Sequence, residues 1–297
     1  MSNPDPKPVA NVMNRRAGVR PEWLKIRVPG NLEQLPVSKL MNDLALNTVC
    51  QEARCPNIFE CWSAGTATFM ILGEICTRRC TFCAVGRGVP NAVDADEPRR
   101  VAEAVERMGV KHAVITMVNR DDLADGGADI VAETVRAVRE RSGAAVEVLI
   151  SDLEGNRDAL GVIVASRPDV LAHNVETVPR LYAQVRPVAK YQRSLDILRW
   201  AADAGMLTKS SIMLGLGEDE EEILATAKDL RDHGVGIFTM GQYLAPSERN
   251  HPVRRYYTPA EFTALGDRAR ALGFQHVESA PLVRSSYMAH RAVEPKG

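Results

Sequence analysis

The sequence lacks an excess of charge, a long apolar segment and an export signal, and each absence excludes a class of protein. Its 297 residues carry 37 basic and 38 acidic side chains, for a net charge of −1. Nucleic-acid-binding and membrane-surface proteins usually show a basic excess, so we expect neither kind of partner. No apolar run reaches the length of a transmembrane span, and the first residues contain no apolar core of a secretory signal. We therefore expect a cytoplasmic protein.

Cysteine is absent outside one short stretch of the chain. The six cysteines form two adjacent triplets, Cys50, Cys55 and Cys61, then Cys76, Cys80 and Cys83. In a chain without an export signal, clustered cysteines favour metal binding over disulfides. Each triplet is one ligand short of a four-coordinate site. The pattern therefore predicts two metal clusters with accessible irons.

The apolar runs from residue 67 onward predict alternating strands and helices. The expected strands are ATFMILG, HAVITM, AVEVLI, DVLAHN, SSIMLGLG and IFTMGQY. The expected helices cover residues 97–108, 128–141, 156–166, 193–204, 218–233 and 259–272. Strands that alternate with helices indicate an α/β fold with a parallel sheet and right-handed crossovers. Six such units favour an open, partial (βα)6 TIM-like barrel. A doubly wound sheet remains the alternative, because periodicity does not show closure.

The same pattern divides the chain into three segments. Residues 1–65 form an N-terminal extension with the first triplet, and residues 1–23 of it are expected to be an extended arm. Residues 66–257 form the partial barrel, and residues 258–297 form a C-terminal helix and tail. In parallel α/β folds, functional groups gather at the carboxyl ends of the strands. The second triplet follows the first barrel strand, so we expect it at this catalytic rim.

The second triplet has the spacing Cys76-x3-Cys80-x2-Cys83, which places three thiolates on one short loop. Thiolates suit iron–sulfur clusters and zinc alike. Structural zinc normally takes four ligands, and neither a fourth cysteine nor a nearby histidine follows here. A cubane cluster with three cysteine ligands keeps one iron free for a small molecule. Phe82 is a candidate for shielding the cluster and lining a purine pocket.

This CxxxCxxC pattern, with an aromatic residue before its last cysteine, resembles the signature of the radical S-adenosylmethionine superfamily. The resemblance implies a [4Fe–4S] cluster on Cys76, Cys80 and Cys83, which are then the catalytic cysteines. It implies that the open iron chelates the amino and carboxylate groups of S-adenosylmethionine. An electron from the cluster then cleaves the sulfonium, and the resulting 5′-deoxyadenosyl radical abstracts hydrogen. A partial six-unit barrel is also implied.

Three pairs of residues on the rim loops are candidates for contacts with S-adenosylmethionine: Gly126 and Gly127, Asn174 and Glu176, and Gly215 and Gly217. The resemblance implies that the first pair contacts the methionine part through the backbone. The second pair would hold the ribose hydroxyls or the amino group, and the third would allow the backbone to approach adenine. Each pair also has a plainer interpretation, as a helix-start turn, a solvated face or a strand-to-helix turn.

Several charged residues are open to two interpretations. We expect His112 and His173 to be structural. Arg78 and Arg79 would offset the charge of the cluster or contact an acidic partner, and one of them would face solvent. A long loop carries a basic group that could contact the same acidic partner: Arg249, Arg254 and Arg255. Surface charges are usually only solvated.

The two triplets together with RSSY at residues 284–287 resemble the lipoyl synthase family. The match includes CPNIFECW, CTRRCTFC, NRDDLADGGA, HNVETVPRLY and GQYLAPS, and it covers residues 20–290. It implies an auxiliary [4Fe–4S] cluster on Cys50, Cys55 and Cys61, completed by Ser286, with Ser285 as the alternative. An alkoxide is harder than a thiolate and poorly matched to a soft cluster. Such a weak ligand suits a cluster that gives up sulfur. Segment 258–297 would then close this auxiliary site.

The resemblance also implies the reaction and its partners. Two sulfur atoms would enter carbons 6 and 8 of an octanoyl-lysine on a lipoyl carrier domain. The carriers would be the E2 components of 2-oxoacid dehydrogenases and the H protein of glycine cleavage. A small reducing electron carrier and a cluster-repair protein are the other expected partners. The alternatives are another sulfur-inserting radical enzyme similar to biotin synthase, a non-catalytic iron–sulfur carrier, and a zinc-stabilised binding protein.

Overall fold

The computed structural model describes residues 20–25, 35–63, 66–287 and 289. Most of the predicted arm, residues 1–23, lies outside the described residues. The helices are α1 Pro36–Asp43, α2 Val49–Glu52, α3 Ile58–Ser63, α4 Glu97–Met108, α5 Ala128–Ser142, α6 Arg157–Ala165, α7 Tyr182–Val185, α8 Tyr191–Asp203, α9 Glu220–Asp232 and α10 Pro259–Ala271. The strands are β1 Asn47–Thr48, β2 Thr68–Ile71, β3 Ile75–Cys76, β4 Gly86–Arg87, β5 His112–Met117, β6 Ala145–Leu149, β7 Val170–Ala172, β8 Thr208–Leu214, β9 Ile237–Gln242 and β10 His276–Ser279.

One large sheet organises the described part of the chain, with the strand order β1-β2-β5-β6-β7-β8-β9-β10. Strand β1 is antiparallel to β2, and all later neighbours are parallel. From β2 to β10 the strands follow chain order without reversal. A doubly wound sheet reverses direction at a switch point, so that alternative is excluded. With β1 and β10 at the ends of the sheet unpaired to each other in the part of the chain that the structure describes, the fold is the predicted α/β partial barrel.

The helices form where local sequence signals agree with the burial pattern. Helix α4 ends at Gly109, whose φ of 63° is a left-handed conformation that favours glycine. Helix α9 begins with a capping box between Asp219 and Glu222. Strand β5 is buried along its whole length, as expected for a parallel strand covered on both faces.

The C-terminal tail differs from the prediction. Residues 276–279 form β10, which pairs in parallel with β9 from His276 opposite Ile237 to Ser279 opposite Met240. The segment HVES has a single buried apolar residue, Val277, and therefore gives a weak strand signal in the sequence. After helix α10, the chain returns to the edge of the sheet. There, backbone hydrogen bonds to β9 hold residues 276–279 as a strand, because their side chains bury little apolar surface. The predicted boundary at residue 258 remains a prediction, and the chain on both sides of it contributes to this one sheet.

The apolar core lies between the sheet and the surrounding helices. One group of buried side chains joins α1 and α3 to the first strands and to α4–α6, and a second joins β8 and β9 to α9 and α10. A third, smaller group contains Val185, Tyr243 and Val253, with Phe82 packed against it. This third group lies under the loop of the second cysteine triplet. None of the described helices combines the length and apolarity needed to cross a membrane.

Candidate active site

A cavity of about 510 Å³ joins the three segments of the chain. Its wall includes thiols from both triplets and both serines of RSSY: Cys50, Cys55, Cys76, Cys80, Cys83, Ser285 and Ser286. Cys61 does not line the wall, although, besides burial, Cys50 and Cys55 are close enough to it to help raise its pKa. The cavity also includes residues that follow or end strands β5–β9, so it lies at the carboxyl ends of the strands.

The loop of the second triplet is held by hydrogen bonds from both sides. Cys76 ends β3, which pairs with β4, and the amide of Cys83 donates to the Cys80 carbonyl at 3.2 Å. The Arg87 Nη2 donates to the carbonyls of Cys80 and Cys83 at 3.1 and 3.3 Å. From the other side, the Asn250 Nδ2 donates to the Thr81 and Cys83 carbonyls at 3.1 and 3.0 Å. These contacts fix the backbone that presents the thiols.

Arg78 has a structural role within this loop. Its buried guanidinium forms ion pairs with Asp121 at 2.7 Å and with Asp152 at 2.6 Å. Burial by itself raises the pKa of Asp152, but hydrogen bonds and the charge of Arg78 lower it to about 2. Arg78 thus ties the loops after β2, β5 and β6 together and is not available to a partner. Arg79 is the exposed member of the pair, as expected.

The first triplet lies on two short helices beside the sheet. Cys50 belongs to α2, whose first turn is capped by the Thr48 side chain, and Cys61 belongs to α3. The amide of Cys55 donates to the Cys50 carbonyl at 2.9 Å. Burial and the nearby thiols raise the pKa of Cys50 to about 11 and that of Cys61 to about 12. Burial also raises the pKa of Cys55, and the charge of Arg284 opposes this.

All six cysteines are free thiols. Burial raises the pKa of Cys80, and it raises that of Cys83 to about 12. Thiols with such pKa values keep their protons at neutral pH until a metal displaces them, so metal binding would release protons. In the part of the chain that the structure describes, no three Cys, His, Asp or Glu side chains are placed to hold a single metal ion. As a donor set, two groups of three soft thiols beside one cavity fit iron–sulfur clusters.

The predicted pair Asn174 and Glu176 lies on the cavity wall together with Arg186. The Asn174 Nδ2 donates to the Glu176 carboxylate at 3.1 Å, and the Arg186 Nη1 donates to the Asn174 carbonyl at 2.8 Å. Burial raises the pKa of Glu176, and the charge of Arg186 opposes this. Two buried polar atoms here have no partner among the described residues, the Asn174 Oδ1 and the Arg186 Nε. One donor, one acceptor and one carboxylate can together hold an amino-acid group.

Arg186 was missed by the sequence prediction as a site residue. In the sequence, Arg186 follows the apolar Val185 and precedes Pro187. The side chain folds back over the Tyr182 ring, with its Cζ 5.4 Å from the ring centroid. This packing buries the charge against the wall of the cavity, which residue order alone does not indicate.

The four predicted glycines do not line the cavity. A Cβ on Gly127 would lie 2.3 Å from the Leu72 Cδ1, and one on Gly126 would lie 3.2 Å from the Leu153 Cδ2. Gly215 closely approaches the Gln242 amide, and Gly217 approaches Arg254. The geometry therefore gives these glycines a packing role, and their contact with S-adenosylmethionine remains a prediction.

Three further predicted residues have clear positions. Phe82 lines the cavity, where it was expected. His173 also lines it but is a satisfied structural histidine, because its ring nitrogens contact the Ile150 carbonyl and the Ser194 hydroxyl, both at 2.9 Å. His112 does not line the cavity and lies 3.6 Å from the buried Glu147, which also pairs with Lys209 at 2.8 Å.

The C-terminal segment reaches the cavity across β9. The amide of Gln242 donates to the Pro281 carbonyl at 3.1 Å, and the Asn57 Nδ2 donates to the Leu282 carbonyl at 2.8 Å. These contacts carry Ser285 and Ser286 to the wall that Cys50 and Cys55 also line. Both serines reach the cavity, so their positions leave the choice of ligand open.

Comparison with known proteins decides the family. The model of the radical SAM superfamily matches residues 70–230. A lipoyl synthase from Rubrobacter xylanophilus is 58% identical over 93% of this chain and 87% of its own length. A lipoyl synthase from Chloroflexus aurantiacus is 51% identical over 96% of this chain and 93% of its own length. The chain belongs to the lipoyl synthase family.

The fold of this lipoyl synthase family member agrees with that assignment. Streptococcus suis SuiB, in a crystal structure with bound S-adenosylmethionine, aligns over 89% of this chain and 64% of its own length with a TM-score of 0.59. The two sequences are 12% identical, so the likeness concerns the fold alone. Membership of the radical SAM superfamily implies one [4Fe–4S] cluster and S-adenosylmethionine.

Proposed function

We propose that this chain inserts two sulfur atoms at carbons 6 and 8 of a protein-bound octanoyl-lysine and so forms the lipoyl group. The observation that carries the proposal is a single cavity whose wall includes thiols from both cysteine triplets and the RSSY serines. A radical generated at one triplet would then reach a carbon held beside the other. An iron–sulfur carrier that only transfers electrons has no need for such a shared cavity.

The second triplet and its surroundings would hold the radical source. Cys76, Cys80 and Cys83 would hold a [4Fe–4S] cluster. Asn174 and Arg186 offer an unpartnered acceptor and donor to the amino-acid part of S-adenosylmethionine. Bound by the three cysteines, the cluster would supply the electron that cleaves the sulfonium of S-adenosylmethionine. The residues hold and orient the cosubstrate, which places its reacting bond at one position in the cavity.

The first triplet and the C-terminal segment would hold the sulfur donor. Cys50, Cys55 and Cys61 would hold an auxiliary [4Fe–4S] cluster, and Ser286, with Ser285 as the alternative, would complete it. A serine oxygen is a harder ligand than a thiolate and is readily released on protonation. The segment 281–286 brings this ligand from the far end of the chain, so the site is complete only when the C-terminal segment lies in place.

Apolar side chains on the wall of the same cavity suit the octanoyl chain. The wall contains Met70, Met117, Leu149, Ile212 and Met213. Ligand sites that bind acyl groups are mostly apolar, with a few polar groups that set orientation. An apolar wall also excludes water, which protects a reactive intermediate from side reactions. An open barrel lets the lysine arm of another protein enter.

The same proposal names the partners. The substrates would be octanoylated carrier domains, the E2 components of 2-oxoacid dehydrogenases and the H protein of glycine cleavage. A small electron carrier would reduce the cluster on the second triplet, and a repair protein would rebuild the auxiliary cluster on the first. The reaction would take place in the cytoplasm.

The test of this function uses anaerobically prepared, cluster-loaded protein. It is incubated with S-adenosylmethionine, a reductant and an octanoyl-lysine peptide, and the peptide mass is measured. We expect two sulfur atoms in place of two hydrogens, with two molecules of 5′-deoxyadenosine per product. Protein that contains zinc and no acid-labile sulfide would contradict the proposal.

Two cysteine variants separate the roles of the triplets. Cys76→Ala removes a ligand of the radical-generating cluster on the second triplet and is expected to abolish 5′-deoxyadenosine formation. Cys55→Ala is expected to keep that cleavage but to give no thiolated peptide. Normal thiolation by Cys55→Ala would refute the sulfur-donor assignment.

A serine pair tests the ligand from the C-terminal segment. We expect Ser286→Ala to lower the iron and sulfide bound at the auxiliary site, while Ser285→Ala retains them. If only Ser285→Ala lowers the bound iron and sulfide, Ser285 is the ligand in place of Ser286.

A further inference from the structure

Three arginines that line the cavity wall together with Cys55 have no carboxylate partner among the described residues. They are Arg20, Arg54 and Arg284, named here the arginine rim. The Nε and Nη2 atoms of Arg20 are buried and have no acceptor among the described residues. The Arg54 Nη1 donates only to the Pro246 carbonyl at 3.3 Å, and the Arg284 Nη1 donates to the Val283 carbonyl at 2.7 Å.

Arginines elsewhere on the surface are commonly neutralised. Arg99 pairs with Asp96 at 2.7 Å, and Arg139 pairs with Asp169 at 2.7 Å. Of the arginines that line the cavity, only Arg78 has an ion pair within the described ranges. Glu176 is the one carboxylate among the residues that line this wall, and its partner is Asn174. The cavity therefore has an unbalanced set of guanidinium groups.

Two of the rim arginines, Arg20 and Arg284, are also close enough to each other for their positive charges to repel. Burial lowers the pKa of Arg20, and Tyr256 opposes this. Guanidinium groups without a carboxylate partner favour an anion that accepts hydrogen bonds in the guanidinium plane, as a carboxylate does.

We propose that the arginine rim binds carboxylates of the carrier segment on either side of the modified lysine. The inference rests on the proposed function, because it assumes that an acyl-lysine segment enters this cavity. Arg54 is exposed and Arg20 is half-buried, so the rim reaches the protein surface where the segment would pass. The octanoyl-lysine itself is uncharged and gives these arginines no partner.

Two features of the site favour the carrier over other anions. The cosubstrate carboxylate already has a donor in Arg186, which lies with Asn174 and Glu176. The exposed Trp23, 41% accessible, follows Arg20 by three residues, and its Nε1 donates to the Tyr257 carbonyl at 3.2 Å. Aromatic and arginine side chains are enriched at protein-recognition surfaces.

The test compares two octanoyl-lysine peptides that differ only beside the lysine. One has glutamate on both sides, and the other has glutamine. Binding to cluster-loaded protein is measured by fluorescence anisotropy without S-adenosylmethionine or reductant. We expect the glutamate peptide to bind about tenfold more tightly at low salt, with the difference shrinking as salt is added.

Variants then assign the preference to the rim. Arg20→Gln and Arg54→Gln should each reduce the ratio of the two affinities by several fold, whereas Arg20→Lys should retain part of it. Arg99→Gln, an exposed arginine on α4, is the matched control and should leave the ratio unchanged. Iron and sulfide content, measured for every variant, shows whether the sites are still loaded.

The outcomes separate this inference from the proposed function. Equal binding of the two peptides, or an unchanged ratio in the rim variants, would overturn the inference. Thiolation of both peptides at equal rates would leave the proposed function standing while the inference fails. If the variants lose only iron and sulfide and keep the peptide preference, the rim neutralises the auxiliary site and does not recognise the carrier.

Discussion

Gly241 shows how a single residue positions a distant part of the site. It lies in β9 and lines the cavity. A Cβ at this position would lie 1.9 Å from the Val283 carbonyl oxygen and 2.9 Å from the carbonyl carbon. Such contacts are well inside van der Waals distance and involve backbone, which cannot move aside by a rotamer change. Glycine is therefore required if the segment that carries Ser286 is to lie against β9.

We predict that Gly241→Ala displaces residues 283–286. Overpacking of this kind typically costs about 1–3 kcal/mol of unfolding free energy. Hydrogen exchange in the C-terminal peptide should accelerate in unloaded protein, and loaded protein should form 5′-deoxyadenosine without thiolated peptide. Gly161→Ala is the control, because a Cβ there meets nothing within 4 Å. Unchanged C-terminal exchange in Gly241→Ala would contradict the prediction.

His173 gives a prediction for pH dependence. Burial, with help from the charge of Arg186, lowers its pKa from 6.5 to about 4. Between these values the unfolded chain binds the proton and the folded protein does not, so stability falls as pH falls from 6.5 toward 4. The loss from this group between pH 7 and pH 5 is about 2 kcal/mol. Urea unfolding should show a smaller loss in His173→Gln, and an identical loss in both proteins would contradict this.

The sequence was informative for the site where chemistry depends on residue type. Two thiol triplets are visible in any listing of the chain, and both belong to the cavity apart from Cys61. Gly241 and Arg186 were not identifiable in this way. Their roles depend on a backbone segment and on a tyrosine ring that only folding brings near them. Glycines chosen by motif, such as Gly127, pack against side chains instead.

At the scale of elements, the strands and helices that the sequence predicted are those with a strong apolar period. Helix α4 and strand β5 have the predicted bounds, because buried positions recur along α4 at helical spacing and β5 is one continuous buried run. The sequence did not predict strand β10, because this strand is stabilised by backbone pairing with β9. The loop of the second triplet has no periodicity at all, and hydrogen bonds from remote residues determine its shape.

We predict that this loop depends on Asn250. In Asn250→Ala, the Thr81 and Cys83 carbonyls lose a shared donor, at a cost of about 1–3 kcal/mol. Hydrogen exchange of residues 77–83 should accelerate, and the yield of 5′-deoxyadenosine should fall several fold. Asn156→Ala is a matched control, since it removes the N-cap of α6 at a similar cost away from the loop. A similar loss of yield in both variants would show that only global stability matters.

At the scale of the whole molecule, the cavity is lined by two segments that lie far apart in the sequence, one before the barrel and one after it. The N-terminal extension supplies Cys50 and Cys55, and the C-terminal segment supplies Ser285 and Ser286. Asn57 joins the two, with its Nδ2 2.8 Å from the Leu282 carbonyl, and it is almost fully buried. The gap left by an open barrel is therefore closed by long-range contacts, which no local pattern predicts.

This closure leads to a prediction about coupling between the two halves of the reaction. Asn57→Ala leaves the Leu282 carbonyl without this donor and should loosen the wall that excludes water, at a cost of about 1–3 kcal/mol. We expect 5′-deoxyadenosine formation to continue at near the normal rate while thiolated peptide falls several fold, since more radicals are quenched before sulfur transfer. The measured quantity is the ratio of 5′-deoxyadenosine to thiolated peptide. Thr263→Ala, on the exposed face of α10, should keep the normal ratio. If Asn57→Ala is less stable but keeps the normal ratio of 5′-deoxyadenosine to thiolated peptide, the contact between Asn57 and Leu282 stabilises the fold and does not protect the radical.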